Sequence, residues 1–331
     1  MMTRQSTMRA AILETHNAPL RISNIATPDI GPPDVLVRIC ASGINPLDTK
    51  IHAGMAAHAR HSPPAILGID LAGTVERIGS DVTGFKPGDE VYGMTGGVGG
   101  VQGSLAEFAA VDAQLLALKP ANLGMREAAA LPLIVITAWE GLIDRAALKA
   151  GQKVLIHGGA GGVGHVAIQI ARAIGAEVFA TGSASQRVAI ESSGAVFVDR
   201  DVAVEAYVAE HTGGRGFDIV YDTVGGKVLD ASFTAVRRFG HVVSALGWGT
   251  HALAPLSFRA ATYSGVFTLL PLLSGEGRAR HGAILTEATR LVEAGKLTPL
   301  LDARHFTLES VGDAYALIRD HAAKGKLIVD I

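Results

Sequence analysis

The sequence holds a single cysteine, Cys40, in 331 residues. One thiol cannot close an intrachain disulfide, which fits a reducing compartment. The chain also has no excess of either charge. Lys and Arg number 29 and Asp and Glu 31, a formal net charge of −2 that leaves no basic field to hold nucleic acid or an anionic membrane surface. Long hydrophobic runs are missing as well. The longest, near residues 128–138 and 267–273, are too short to span a bilayer and contain Pro132 and Pro271. Residues 1–8 have no apolar segment of the kind a signal peptide needs. These shortages lead us to expect a cytoplasmic protein with no nucleic-acid partner and no membrane anchor.

What the chain does have is apolar residues, 48% of the total against 18% charged, enough for a large core. Its length exceeds what one core usually serves, so two domains are expected. The stretch that organises them is residues 153–174. A short apolar run at 154–156 turns through glycines and continues as Val163, Val166, Ala167, Ile170, Ala171 and Ile174, the spacing of an amphipathic helix. Between strand and helix, Gly159-Ala160-Gly161-Gly162-Val163-Gly164 reads G-x-G-x-x-G. In that setting Gly161 and Gly162 let backbone approach a pyrophosphate, Gly164 lets the helix pack closely, and the free N–H groups of the helix start face the phosphates. Ala160 to Gly164 are therefore candidate cofactor-binding residues.

Residues 8–111 read as β-rich. Short runs at 9–13, 35–41, 71–78, 90–92 and 105–111 are punctuated by Gly, Pro and Asp, which predicts a small barrel or sandwich. A helix over 126–131 should stop before Pro132, and a second should cover 137–148. From Lys153 strands are predicted at 154–157, 177–181, 196–199, 219–223, 241–245 and 264–268, with helices between them, the pattern of an α/β doubly wound parallel sheet. The tail carries helices at 280–293 and 311–318 and a last strand at 327–329, and is expected to return to the first domain. The domains read as 1–126 with 270–331, and 127–269.

A site for NAD wants an acid about 20 residues past the glycines, on the ribose hydroxyl. Here the end of the second strand reads Thr181-Gly182-Ser183-Ala184-Ser185-Gln186-Arg187, without an acid. Ser183 and Ser185 can donate to a phosphate and Arg187 can neutralise it, which favours NADPH as cofactor.

With these motifs in view, the chain resembles the zinc-independent quinone oxidoreductases of the medium-chain dehydrogenase/reductase superfamily, relatives of zeta-crystallin. The likeness covers nearly the whole chain. It rests on Gly151-Gln152-x-x-Leu155-x-x-x-Gly159-Ala160-Gly161-Gly162-x-Gly164-x-x-x-x-Gln169-x-x-Arg172, on Gly43-Ile44-Asn45-Pro46-x-Asp48, on Leu67-Gly68-x-Asp70-x-Ala72-Gly73 and on Phe85-Lys86-x-Gly88-Asp89. It implies a Rossmann domain for NADPH and a GroES-like β-barrel catalytic domain built from both chain ends. It also implies a homodimer joined through the Rossmann edge strand near 264–268, and an apolar edge such as Gly265-Val266-Phe267 independently needs cover.

The resemblance further implies chemistry without a metal. Where related alcohol dehydrogenases hold zinc with Cys and His, this chain has Asn45 and Ile69, and a structural zinc lobe would need four cysteines. His52, His58 and His61 with Asp48 fit no ligand spacing. Hydride would pass to a quinone or to the β-carbon of an α,β-unsaturated carbonyl, with protein donors in place of a Lewis acid. Asn45 is the first candidate donor or cofactor anchor, and Lys50, where many relatives carry tyrosine, is the second. Thr137 is expected at the nicotinamide ribose or a phosphate, or otherwise as a helix N-cap. Thr223, Val224, Leu246 and Gly247 are expected at strand ends beside the cofactor, and Lys326 is expected to touch it from the returning tail. His157 and His165 are expected to pack or cap. Two other readings stay open: an enoyl-thioester reductase of the same fold, and a non-catalytic, crystallin-like NADPH-binding protein.

Overall fold

The computed structural model describes residues 6–331, so residues 1–5 of the segment read for a signal peptide lie outside it. Among the described residues no helix is long and apolar enough to cross a membrane. The chain divides into two compact units: residues up to 133 with Leu269–Ala294 and Pro299–Ile331, and Ile134–Thr268 with Gly295–Thr298. The change of unit falls at 133/134 rather than at 126/127, because the helix Met125–Ala129 packs on the strands Asp34–Gly43 and Asp70–Ile78 of the first unit.

The second unit is a six-stranded parallel sheet. From one edge its strands run Val196–Asp199, Glu177–Gly182, Lys153–His157, Phe217–Asp222, Val236–Ser244 and Thr262–Gly265. The strand order reverses beside the strand that feeds the glycine turn, which is where a doubly wound sheet opens a crevice for a nucleotide. The central strands are buried on both faces and read as continuous apolar runs for that reason. Helix Gly162–Ile174 ends at Gly175, whose φ of 94° suits the left-handed cap that glycine accepts without strain.

The first unit holds a seven-stranded and a three-stranded sheet, bridged where Ala10 meets Ala106. This bridge splits the expected strand 105–111: the Leu105 carbonyl accepts from the Ala11 N–H, and only Phe108–Asp112 pairs with Asp34–Gly43. Strand Arg21–Ala26 was not legible in the sequence, since its half-exposed residues carry little apolar alternation. The last strand, Ile328–Asp330, pairs antiparallel with residues 41–43, so the tail does return to the first unit.

Three local expectations change. Pro132 does not simply stop a helix: it starts the next one, Pro132–Trp139, at a position where its missing N–H costs nothing. That helix continues into a wider turn over Glu140–Arg145 in place of a regular helix to 148. The edge strand lies at Thr262–Gly265, so Val266 and Phe267 are past its end.

Candidate active site

The nucleotide half lies in the second unit. Gly158 turns the chain at φ 74°, and a Cβ on Gly164 would sit 2.1 Å from the Gly158 carbonyl oxygen, so glycine is required for the helix to close on the turn. Around Gly161 the space is open: a Cβ there would have only the Gly158 oxygen near it, at 3.2 Å. Gly161 has no side chain to cap the helix, so the first-turn N–H groups of Gly162, Val163 and Gly164 remain for an anion. A dinucleotide pyrophosphate fits this cradle.

Past the second strand, the Ser183 and Ser185 hydroxyls lie 3.0 Å apart, and the Ser183 N–H is held by Gln186 Oε1 at 3.0 Å. Arg187 is exposed, stacks over the Phe197 ring at 4.2 Å and reaches Glu191 at 3.4 Å. Asp199 is half-buried and accepts from the Asp201 N–H. At the neighbouring strand ends, buried Asp222 ties three segments together. Its Oδ1 accepts the Val224 and Gly225 N–H groups at 3.0 and 2.9 Å, and its Oδ2 accepts the Ser244 hydroxyl at 2.6 Å. Ser244 in turn accepts the Leu246 N–H at 3.0 Å, and Thr223 donates to the His157 carbonyl at 2.6 Å. A Cβ on Gly247 would meet the Tyr263 hydroxyl at 2.2 Å, so that ring lies over the turn. Burial lowers His157 to about 4, against the opposing charge of Asp222, so it is neutral at pH 7. Thr137 sits inside helix Pro132–Trp139, which removes the N-cap alternative. Its hydroxyl is 3.0 Å from that of Thr268, and its carbonyl accepts from Tyr221.

In the first unit a different cluster forms around Asn45. Strand Asp34–Gly43 ends, Asn45 stands at the start of the helix Pro46–His52, and Asp48 Oδ2 accepts the Asn45 N–H at 2.7 Å. The register Ile328↔Gly43 carries Lys326 opposite Asn45, two residues further along each strand, and the Ile44 N–H bonds to the Leu327 carbonyl at 2.9 Å. Lys326 Nζ donates to Asn45 Oδ1 at 2.6 Å and lies 3.4 Å from Asp70 Oδ2. Asn45 Nδ2 donates to the same Asp70 oxygen at 2.9 Å and to the Gly43 carbonyl at 3.4 Å. The other oxygen, Asp70 Oδ1, accepts the Leu133 N–H at 2.9 Å.

Asn45, Asp48, Asp70 and Lys326 are all buried, Lys326 at 6% exposure. Burial pushes Asp48 up to about 7, its hydrogen bond from Asn45 opposing. Burial also raises Asp70, with Lys326 and the hydrogen bonds pulling it back, and lowers Lys326, with Asp70 and Asp48 holding its charge. Asp48 Oδ1 and the Tyr315 hydroxyl are buried without a hydrogen-bond partner. The side chain of Lys50, on the exposed face of the same helix, makes no hydrogen bond or ion pair among the described residues.

Zinc does not fit here. The amide of Asn45 is fully engaged, Ile69 offers no donor atom, and among the described residues no three His, Cys, Asp or Glu side chains gather as a ligand set. His52 and His61 instead contact the backbone carbonyls of Ala18 and Ile66.

Sequence reasoning missed Asp70, Ser244 and Tyr263 as members of these clusters. Asp70 carried a signal, since it follows Ile69, the position where zinc relatives place histidine. The other two are brought in by strand order and gave none.

Residues 31–121 match the family described as Alcohol dehydrogenase GroES-like domain, and residues 194–329 match Zinc-binding dehydrogenase. Over 316 residues the chain is 36% identical to a 2-methylene-furan-3-one reductase of Solanum lycopersicum, covering 93% of this chain and 74% of that protein. It is 34% identical, with the same coverage, to an NADPH-dependent alkenal/one oxidoreductase, chloroplastic, of Arabidopsis thaliana. Among solved structures, an alcohol dehydrogenase superfamily protein from Novosphingobium aromaticivorans is 57% identical, with a TM-score of 0.97 over 98% of this chain and all of that one. The fold, the glycine turn and these relatives agree, and the chain belongs to the alcohol dehydrogenase, or medium-chain dehydrogenase/reductase, superfamily, in its zinc-independent quinone and enone reductase-like branch.

Proposed function

We propose that this protein is an NADPH-dependent reductase that transfers hydride to the β-carbon of α,β-unsaturated carbonyls or to quinones, without zinc. The observation that carries the reading is the buried Asn45–Asp70–Lys326 cluster, which takes the place of a metal ligand set. The activities named for the tomato and Arabidopsis relatives support the enone as acceptor.

The glycine turn with Val163 and Gly164 would hold the pyrophosphate, and Thr223, Val224, Leu246 and Gly247 would line the nucleoside. Ser183, Ser185 and Arg187 favour a 2′-phosphate, since two hydroxyls and a guanidinium supply donors and charge where an acid would repel it. When bound, the dihydronicotinamide supplies the hydride. The protein's part is to orient and to offer donors as negative charge grows on the acceptor oxygen. Asn45 has both amide hydrogens and its oxygen engaged, so it serves by positioning Lys326 and Asp70. Lys326 has three N–H donors and two protein partners, which leaves one for the cofactor or acceptor. Lys50 is the weaker candidate, because nothing fixes its ammonium in place. Thr137 belongs with the nicotinamide end by its family position. A homodimer through the edge strand Thr262–Gly265 would cover its unpaired backbone groups.

Turnover with a panel of enones, quinones, enoyl thioesters and simple alcohols, each with NADPH and NADH, tests this. The reading expects enone or quinone turnover, faster with NADPH and insensitive to chelators. Oxidation of alcohols that chelators abolish would refute it. Preference for enoyl thioesters would favour the acyl alternative, and tight NADPH binding with no turnover the crystallin-like one.

A further inference from the structure

The second unit carries a cleft at the amino ends of its parallel strands, the end of the sheet opposite the glycine turn. Its volume is about 580 Å³, within the usual range for a small-molecule site, and its lining includes Arg215, Arg238, Arg259, Val208, Val236 and Phe258. None of these residues belongs to the nucleotide half.

Charge is the first notable feature. Asp218, the acid nearest in sequence, is already engaged: it pairs with Arg237 at 2.6 Å and accepts the Lys153 N–H at 2.7 Å. The three arginines of the cleft form no ion pair among the described residues. Arg259 is fixed by backbone carbonyls of Thr234, Val236 and Pro255, each at 3.1 Å. Arg215 reaches only the Thr212 carbonyl at 3.4 Å, and the Arg238 side chain is exposed without a partner among the described residues. Carbonyls orient a guanidinium but do not neutralise it. Against these three cations stands one lining acid, Glu205.

The backbone is the second. Phe217 pairs with Val236 and Ile219 with His241, so two steps on one strand answer five on the other. The surplus forms a bulge that pushes Arg238 and Phe239 out of the sheet. Phe239 holds φ 58°, a left-handed conformation that glycine would adopt without strain and that a bulky aromatic adopts at a cost of about 1 kcal/mol or more. Its ring gains no burial in return, being 76% exposed, and its N–H bonds to the Arg259 carbonyl. Phe258, on the cleft wall, is 82% exposed. Guanidinium groups without an ion pair, an apolar floor of Val208 and Val236 and the exposed Phe258 ring line one cleft, and Phe239, next to Arg238 in the chain, is displayed outside that lining.

We infer that this cleft is a second ligand site, for a small organic anion: a carboxylate or phosphate ester with an apolar body, its charge on Arg215 and Arg238 and its body against Val208 and Phe258. The site is independent of the proposed reductase activity.

Calorimetry on the NADP-saturated protein tests it, with hexyl phosphate and hexanoate as probes and hexanol and inorganic phosphate as controls. One of the two anions should bind with 1:1 saturation, and the tighter one identifies the head group. Each control should bind more weakly, since each lacks half of the recognition. Arg238→Gln should weaken the tighter probe about tenfold, the worth of one charge-assisted contact, and Arg215→Gln with Arg238→Gln should abolish binding, while enone turnover stays unchanged. Phe258→Ser, which leaves the charges in place, should weaken the hexyl probes and not inorganic phosphate. No saturable heat up to about 10 mM, equal affinity in the double arginine variant, or protection of Phe258 by self-association in place of ligand would each overturn the inference.

Discussion

Replacing Asp48 with asparagine should change how stability depends on pH. The carboxyl is buried, one of its oxygens has no partner, and burial lifts its pKa to about 7 from an ordinary 3.8. Below about pH 4 both the folded and the unfolded chain keep the proton, and this residue's contribution is fully present. Between about pH 4 and 7 the unfolded chain releases it while the folded chain does not, so stability falls as pH rises, and above the folded value the loss is complete. A gap of about three units, at about 1.4 kcal/mol each, is on the order of 4 kcal/mol. The Asp48→Asn side chain still offers an oxygen to the Asn45 N–H but cannot ionise, so it escapes this loss, and the figure of about 4 kcal/mol already includes the attraction of Lys326 for the carboxylate. Urea unfolding of both proteins, followed by circular dichroism at a series of pH values, reads the effect. The two should coincide near pH 4, and the variant should gain steadily toward pH 8. A constant offset across pH, or a weaker variant at pH 8, would mean that the folded protein holds Asp48 ionised at neutral pH with Lys326 compensating it.

Other residues make separate predictions. Lys326→Met should destabilise the first unit by about 3 kcal/mol or more, because it leaves buried Asp70 unpaired, and should lower kcat. Adding Asp70→Asn should restore most of the stability and little of the activity, and full recovery of kcat would exclude Lys326 from the chemistry. Arg187→Ala should raise the KM for NADPH about tenfold and leave that for NADH within about twofold, and equal effects on the two would remove Arg187 from phosphate recognition. Gly164→Ala should weaken NADPH binding and cost about 1–3 kcal/mol, since its methyl would meet the Gly158 carbonyl; a fluorescence titration with NADPH showing unchanged affinity would contradict this. Lys50→Met should leave kcat within about twofold in steady-state assays, as expected of an unpositioned lysine, and a tenfold loss would make Lys50 the donor.

The local physics of the chain was enough for its second unit. The apolar run at Lys153–His157, the turn at Gly158 on which Gly164 lets the helix close and the amphipathic helix to Ile174 are short-range features, and the alternation that follows permits little other than a doubly wound sheet. The missing acid after the second strand was legible for the same reason, since its place is counted along the chain. That Asn45 and Ile69 stand where zinc relatives carry ligands could be read from two letters. Tertiary structure alone decided which side chains gather around Asn45. Lys326 reaches Asn45 and Asp70 because the last strand pairs with residues 41–43 in one register, and register across 281 residues of separation leaves no local trace. The partnership of Asp222 with Ser244 and the strand bulge that displays Phe239 arise in the same way, from neighbours that the sheet order supplies. Periodicity, turns and missing residue types are properties of a segment and can be read from it. Burial, shared protons and the conversion of a helix cap into part of a charged cluster are properties of pairs, and they exist only once the chain has folded.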